Sequence, residues 1–195
     1  MKTVETVIKN SIAVKEKILN DKDMLNAIES IADELVSAYR SGKKLLIAGN
    51  GGSAADAQHI AGELMGRFYY DRPPLPAIAL TTDASVITAV GNDYGYDHIF
   101  SRQIEGSAAE GDVFIAISTS GNSPNIIKAL KAAKKKKVIT VGFTGEKPSA
   151  MDALCDYLLK TPSADTPRIQ EGHGLIGHII CQLTEERLFP QADSP

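Results

Sequence analysis

The sequence predicts an α/β protein in which a five-stranded parallel sheet is covered by helices on both faces. Two observations lead to this class. Apolar runs of strand length alternate with amphipathic segments along most of the 195 residues, and this periodicity distinguishes strands from helices. Turn-forming stretches rich in glycine and serine also follow two of the apolar runs. Strands that alternate with helices join through right-handed crossovers and form parallel sheets.

Two helices are predicted before the first strand. Apolar residues recur at helical spacing over residues 4–40, with a break at residues 20–23, and Gly42 follows the second helix. Such a pair packs either on its own domain or on another subunit, and the pattern favours neither. We therefore divide the chain into a helical extension at residues 1–41, with a predicted role in oligomerisation, and an α/β domain at residues 42–195.

The remaining elements follow in order. Strands are predicted at residues 45–48, 77–80, 113–117, 137–143 and 157–160. Helices are predicted after Ser53, at residues 85–90, at residues 125–136 and at residues 168–188. Ser53 is the expected N-cap of the first of these, and Ser123 caps the third with Pro124 at its first position.

Composition excludes several classes of protein. The chain is 43% hydrophobic and 23% charged, which is typical of a folded globular protein. Its net charge of -3 gives no basic footprint for nucleic acid. No segment approaches the ~20 apolar residues of a membrane span, so no membrane association is expected. Cys155 and Cys181 are too few for a disulfide scaffold, and we expect a cytoplasmic protein.

The first candidate site lies where the first strand ends. Residues 49–53 read Gly-Asn-Gly-Gly-Ser and lead into a helix. Free backbone N–H groups at such a turn suit a phosphate, another anion or a polyhydroxy ligand, although a tight turn that binds nothing is equally common. The glycine spacing matches neither the dinucleotide fingerprint nor the nucleotide phosphate loop. His59 and Glu63 lie four residues apart and share one face of the helix.

Two further loops have turn-forming composition. Residues 118–123, Ser-Thr-Ser-Gly-Asn-Ser, follow the third strand and place four hydroxyl groups at a helix N-terminus. This crowding favours phosphate binding over an ordinary capped turn. Residues 91–95, Gly-Asn-Asp-Tyr-Gly, are better interpreted as a helix end with a loop.

The final helix carries Gln170, His173 and His178. Gln170 and His178 are eight residues apart and can face one side, although a single histidine in a helix is more often a packed residue than a catalyst. With His59 and Glu63, they could ligate a divalent metal such as zinc. Alternatively, a carboxylate and a histidine on either side of a sugar carbonyl could act as base and acid in an enediol isomerisation.

Four stretches together carry a resemblance to a known family. Residues 48–59, 91–95, 118–123 and 168–173 resemble the sugar-isomerase (SIS) domain family and, within it, the phosphoheptose isomerases. The resemblance implies a flavodoxin-like three-layer sandwich and a homotetramer. It also implies reversible conversion of sedoheptulose 7-phosphate to D-glycero-D-manno-heptose 7-phosphate through an enediol. This reaction is the first step of bacterial ADP- or GDP-heptose biosynthesis, for lipopolysaccharide core or capsule.

The same resemblance implies roles for individual residues. The phosphate would be bound by Ser118, Thr119, Ser120 and Ser123. The sugar would contact Asn50, Gly51, Gly52, Ser53, Asn92 and Asp93, together with Glu63 and Gln170. Glu63 would be the base and His178 the acid. One Zn²⁺ per subunit would be bound by His59, Glu63, Gln170 and His178.

Two non-catalytic functions occur in the same family. One is a tetramer that binds the replication initiator, and the other is a sensor of sugar phosphates. The first looks to have lost the acidic residue and the histidine that this chain retains as Glu63 and His178. No DNA-binding domain accompanies residues 1–195, and the N-terminal helices lack a basic stripe, which argues against the second.

Overall fold

The computed structural model describes residues 3–191, and its centre is a sheet of five parallel strands. The strands are β1 (Leu45–Gly49), β2 (Ala77–Ala79), β3 (Val113–Ile117), β4 (Ile139–Gly145) and β5 (Tyr157–Thr161). Their spatial order is β2-β1-β3-β4-β5, with each neighbouring pair parallel. This is the flavodoxin-like order, and it confirms the predicted fold class.

The described part of the chain contains seven helices, which lie on both sides of the sheet. They are α1 (Val4–Asn20), α2 (Lys22–Arg40), α3 (Gly52–Met65), α4 (Ala84–Tyr94), α5 (Ser101–Ser107), α6 (Pro124–Lys135) and α7 (Thr166–Leu188). Short 3₁₀ turns lie at Tyr96–His98 and Ala150–Ala153. None of the helices in residues 3–191 is both long and apolar enough to cross a lipid bilayer.

The sheet is buried on both faces, so its central strands are almost entirely apolar. Leu45 and Ile47 of β1 point into a core shared with α2, α3 and α7. Leu46 of β1 and Phe114 of β3 point into a second core shared with α5 and α6. The helices that follow β1 and β3 therefore lie on opposite faces of the sheet, which opens a crevice between these neighbouring strands.

The two N-terminal helices differ in their packing. In α2, Ile31 and Leu35 are fully buried in the same core as the strands, so this helix packs on its own domain. In contrast, α1 turns Val4, Ile8 and Ile12 outward, with exposed fractions of 79%, 54% and 48%. These residues repeat every four positions and form one apolar face. The role of the pair in oligomerisation stays a prediction.

Two local predictions were wrong, and one helix was not predicted. Gly51, with a φ of +57°, is the N-cap of α3, so Ser53 lies inside the first turn. Helix α4 does not end at Gly91 but continues to Tyr94 and stops at Gly95, which has a φ of +89°. Helix α5 was not predicted, because Ser-Arg-Gln-Ile-Glu-Gly-Ser offers a single large apolar residue to the core.

Candidate active site

The two ligand-binding loops predicted from the sequence lie side by side. Gly49 at the end of β1 pairs in register with Ile117 at the end of β3. The loop of residues 50–52 and the loop of residues 118–123 therefore leave the same edge of the sheet from adjacent strands. Their helices, α3 and α6, then pass to opposite faces. In open α/β sheets, such a reversal point at the carboxyl ends of the strands is where ligands bind.

The hydroxyl groups of the second loop converge on one point. Ser118 Oγ lies 3.0 Å from Ser123 Oγ and 3.4 Å from Ser120 Oγ. Gly121 makes this conformation possible, because its φ is +65° and a Cβ there would lie 2.3 Å from Ser149 Oγ. Ser123 is the N-cap of α6, but its side chain does not cap the helix. Pro124 has no N–H group, and the N–H of Ile126 donates to Asn125 Oδ1, so the N–H of Asn125 is the one in this first turn that stays available to an anion.

A cavity of about 270 Å³ opens beside this loop. Thr119 and Ser120 line one wall, and Thr166 and Ile169 from the first turn of α7 line another. The N-cap side chain of α7 also makes no capping hydrogen bond. The N-terminus of α7 therefore lies at this cavity, where its dipole favours negative charge. Lys147 and Glu146, a cation and an anion that the sequence patterns did not indicate, line the same cavity.

The first loop makes its contacts through Asn50 and Gly52. The Asn50 amide forms two hydrogen bonds with the amide of Asn125, at 2.9 and 2.8 Å, and accepts a third from Tyr96. Gly52 lies directly against Gln170, since a Cβ on Gly52 would be 2.3 Å from Gln170 Nε2. Helix α7 therefore reaches the first loop, as the predicted sugar-binding role of Gln170 requires.

Asn92 and Asp93 stand apart from the two loops. Both are exposed in the last turn of α4, where Asn92 Nδ2 donates to Asp93 Oδ1 at 2.8 Å. Among residues 3–191, no hydrogen bond joins either of them to the loops. Their predicted contact with the sugar stays a prediction. Tyr96, which the sequence patterns did not indicate, is the residue of this region that contacts the first loop.

A second group of functional side chains lies further along α3. His59 Nε2 is 3.0 Å from Glu63 Oε1 and 2.9 Å from His178 Nε2. The potential ligand atoms of these three residues all lie within 4.8 Å of one another. Glu63 is ten residues beyond Ser53, or about 15 Å along the helix axis. The predicted approach of His178 to the His59–Glu63 pair is thus present within one chain.

The donor set fits zinc. Two imidazole nitrogens and a carboxylate oxygen are typical ligands of Zn²⁺. Donors about 2.0–2.1 Å from a tetrahedral ion lie roughly 3.4 Å apart, and the observed 2.9 and 3.0 Å separations are close to that value. Gln170, the fourth predicted ligand, lies eight residues before His178 on α7, with its amide directed at Gly52.

Asp56 lies one turn before His59 on α3. Burial raises the pKa of its carboxyl group, and the nearby charge of His59 acts in the opposite direction. Its Oδ2 atom has no hydrogen-bond partner within residues 3–191. Asp56 therefore adds a partly buried carboxyl group close to the three-residue cluster.

A buried ion pair fixes the end of α3 behind this cluster. Arg72 Nε donates to Glu185 Oε1 at 3.0 Å, and both side chains are almost completely buried. The same guanidinium donates to the backbone carbonyl oxygens of Glu63 and Leu64. Burial acts to raise the pKa of Glu185. Hydrogen bonds from Tyr69, Phe68 and Arg72 outweigh this effect, so the net pKa lies below its usual value. The pair therefore holds the backbone of the candidate base in place.

His173 connects α7 to the sheet. It is fully buried, and its Nε2 donates to the carbonyl oxygen of Thr144 at 3.1 Å. Burial lowers the pKa of His173 to about 4, so the side chain is neutral at pH 7. This bond ties the first turns of α7, which carry Gln170, to the end of β4. The packed histidine of this helix is therefore His173, whereas His178, for which the sequence left a packed role open, is exposed.

Comparison with known proteins agrees with this architecture. Residues 8–145 match the model of the SIS domain. The phosphoheptose isomerase of Aneurinibacillus thermoaerophilus is 59% identical over 186 residues, which cover 95% of this chain and 94% of the relative.

Two solved structures are also similar over almost their whole length. A phosphoheptose isomerase from Francisella tularensis has a TM-score of 0.90 and 37% identity, and covers 94% of this chain and 96% of its own. Phosphoheptose isomerase from Neisseria gonorrhoeae has a TM-score of 0.88 and 40% identity, with coverages of 94% and 97%. The chain therefore belongs to the SIS domain family and, within it, to the phosphoheptose isomerases.

Proposed function

We propose that this protein interconverts sedoheptulose 7-phosphate and D-glycero-D-manno-heptose 7-phosphate. The observation that carries the proposal is the meeting of Glu63 and His178, which come from distant parts of the chain. They meet in a protein that shares 53–59% identity with several phosphoheptose isomerases. A ketose–aldose isomerisation needs a base and an acid close to one carbonyl group, and a carboxylate and an imidazole supply them.

The reaction moves one proton between two neighbouring carbon atoms. In the proposed mechanism, the Glu63 carboxylate takes a proton from C1 of the ketose while His178 protonates the oxygen on C2. The product of this step is an enediol. Return of the proton to C2 and loss of the proton from the C1 hydroxyl then give the aldose. The hydroxyl groups of Ser118, Ser120 and Ser123 bind the phosphate and hold the carbon chain in place.

Zinc is proposed at the cluster of His59, Glu63 and His178. Gln170, whose amide faces Gly52 in this structure, would become a fourth ligand by turning toward the cluster. When bound there, the ion supplies Lewis-acid polarisation of a sugar oxygen. A Glu63 carboxylate that binds an ion is less available as a base. The proton transfers above therefore belong to the form in which Glu63 and His178 are free.

One assay tests both proposals. The protein is incubated with sedoheptulose 7-phosphate, with and without a chelator, and the aldose phosphate is measured by chromatography. We expect aldose in at least one condition, and its absence from both contradicts the proposed reaction. Loss of activity in chelator, restored by Zn²⁺, supports zinc as a catalytic ion. Full activity in chelator assigns the chemistry to the free side chains.

We further propose a homotetramer in the cytoplasm. The apolar face of α1, formed by Val4, Ile8 and Ile12, offers a surface that a second copy can bury. Cys155 and Cys181 are free thiols, as a reducing compartment maintains them. Light scattering at micromolar concentration should give four times the chain mass of 20.8 kDa. A monomer mass would contradict the tetramer.

A further inference from the structure

The side-chain amide of Asn50 is held in one orientation by its neighbours. The backbone N–H of Ile126 donates to Asn125 Oδ1 at 2.9 Å. A backbone N–H can only donate, so this contact identifies the oxygen of the Asn125 amide. Asn125 Nδ2 must then be the atom that faces Asn50 Oδ1, at 2.8 Å, while Asn50 Nδ2 returns a bond to Asn125 Oδ1 at 2.9 Å. The backbone N–H of Ile126 therefore fixes the orientation of the Asn125 amide, and the Asn125 amide fixes that of Asn50.

Tyr96 completes this arrangement from the other side. Its hydroxyl group donates to Asn50 Oδ1 at 3.1 Å. An amide oxygen has two lone pairs, and Asn125 and Tyr96 occupy both of them. Asn50 Nδ2 has two hydrogen atoms, of which Asn125 takes one. The side chain of Asn50 is therefore left with a single N–H group for any ligand.

We propose that Asn125 and Tyr96 are positioning residues that make Asn50 a hydrogen-bond donor to an oxygen atom of the sugar. The inference rests on the proposed function, and it deepens it by giving Asn50 a defined chemical role. Asn50 is half-buried at the β1–β3 crevice, where the two ligand loops meet. A donor-only group recognises a sugar hydroxyl through its lone pairs, a carbonyl oxygen, or the negative oxygen that develops on the way to the enediol.

The burial of the three residues supports separate roles. Asn125 is 2% exposed and lies in the first turn of α6, so its side chain cannot reorient freely. Tyr96 is 60% exposed, so the removal of its hydroxyl group leaves the core intact. Tyr96→Phe therefore changes the hydrogen bond to Asn50 with little effect on folding.

The test is a double-mutant cycle in the full-length chain, with sedoheptulose 7-phosphate as substrate. Tyr96→Phe is made in the parent and in Asn50→Ala, and KM and kcat are measured for all four proteins. One neutral hydrogen bond corresponds to about a 2- to 10-fold change. We expect Tyr96→Phe to lower kcat/KM by that factor in the parent and to have no further effect in Asn50→Ala. Tyr94→Phe is the matched control, because Tyr94 stacks on Arg102 at 4.3 Å and should leave both constants unchanged.

The possible outcomes separate the explanations. Equal losses in both backgrounds would mean that Tyr96 acts independently of Asn50, and no loss in the parent would mean that its bond is irrelevant. Either result overturns the proposal.

Asn125→Asp keeps the acceptor for Ile126 N–H but removes the donor to Asn50, and it should lower kcat/KM at least as much as Tyr96→Phe. Absence of turnover in the parent would count against the proposed function, and the cycle is then read from dissociation constants measured by calorimetry.

Discussion

Replacement of Glu185 by glutamine should strongly destabilise the fold, although the two side chains have nearly the same shape. The carboxylate accepts hydrogen bonds from the backbone N–H groups of Phe68 and Tyr69 at 2.8 and 2.7 Å, and from Arg72 at 3.0 Å. Glutamine keeps one acceptor oxygen but replaces the other with an NH₂ group. That group would face a backbone N–H, and Arg72 would lose its buried counter-ion.

The expected loss follows from the contacts that remain. Removal of one partner of a buried ion pair costs about 3–5 kcal/mol, which is a large part of the roughly 5–15 kcal/mol that stabilises a domain. Arg72 would keep its bonds to the carbonyl oxygens of Glu63 and Leu64. We therefore expect the free energy of unfolding to fall by about 3 kcal/mol, at the lower end of the range.

Urea unfolding followed by circular dichroism measures this loss. Glu186→Gln is the control, because Glu186 is the exposed neighbour on the same helix, and it should change stability by less than about 0.5 kcal/mol. The folded-state pKa of Glu185 is lowered. Its stabilisation is therefore complete above the unfolded pKa of about 4.3 and is lost as pH falls through the lower folded value. A loss under about 1 kcal/mol at pH 7, or a difference that persists at acidic pH, would refute this reasoning.

Three further changes test the site and its supports. Glu63→Gln should fold and bind sedoheptulose 7-phosphate yet lose roughly 10²- to 10⁴-fold in kcat, so retained turnover in a steady-state assay would contradict its role as base. The pKa of His173 is about 4 in the folded protein, so the unfolded chain binds a proton at higher pH. Stability should thus fall by on the order of 3 kcal/mol as pH drops from about 6.5 to 4, and urea titrations of His173→Gln should lack this slope. Gly121→Ala forces a side chain into a φ of +65° and against Ser149, which should cost about 1–3 kcal/mol and raise KM. Gly106→Ala, at a site with open space, should do neither, and an unchanged KM for Gly121→Ala would contradict the phosphate-loop assignment.

The fold was largely predictable because a parallel sheet is buried on both faces. Strand β3 was predicted with its observed bounds, Val113–Ile117, since its five residues form an unbroken apolar run. The errors occur where turn-forming residues sit inside helices. Gly91 and Asn92 favour a helix end when read locally, yet α4 continues through both to Tyr94. A glycine inside a helix costs only about 1 kcal/mol, so Gly91 does not end α4, and the helix stops at Gly95, where φ is +89°.

The site was predictable in part. His59 and Glu63 share a helix face by spacing alone, and the hydroxyl groups of the second loop are adjacent in sequence. In contrast, Arg72, Asn125 and Tyr96 act through bonds to residues far away in the chain. A local pattern contains no information on such partners. The approach of His178 was expected only from the family resemblance, because no spacing rule connects α3 with α7.

The structure gives a physical reason for that approach. A Cβ on Gly177 would lie 2.8 Å from Ile60 Cδ1, and a Cβ on Gly172 would lie 2.6 Å from Thr161 Cγ2. Helix α7 thus packs unusually closely on both α3 and β5. His59 precedes Ile60 and His178 follows Gly177, so the two imidazoles flank this close contact. Each glycine in a helix interior costs about 1 kcal/mol relative to alanine. Gly172 and Gly177 therefore lower the helix propensity of α7 but permit the close contact that assembles the site. Such a conflict between local propensity and the fold is expected at functional sites.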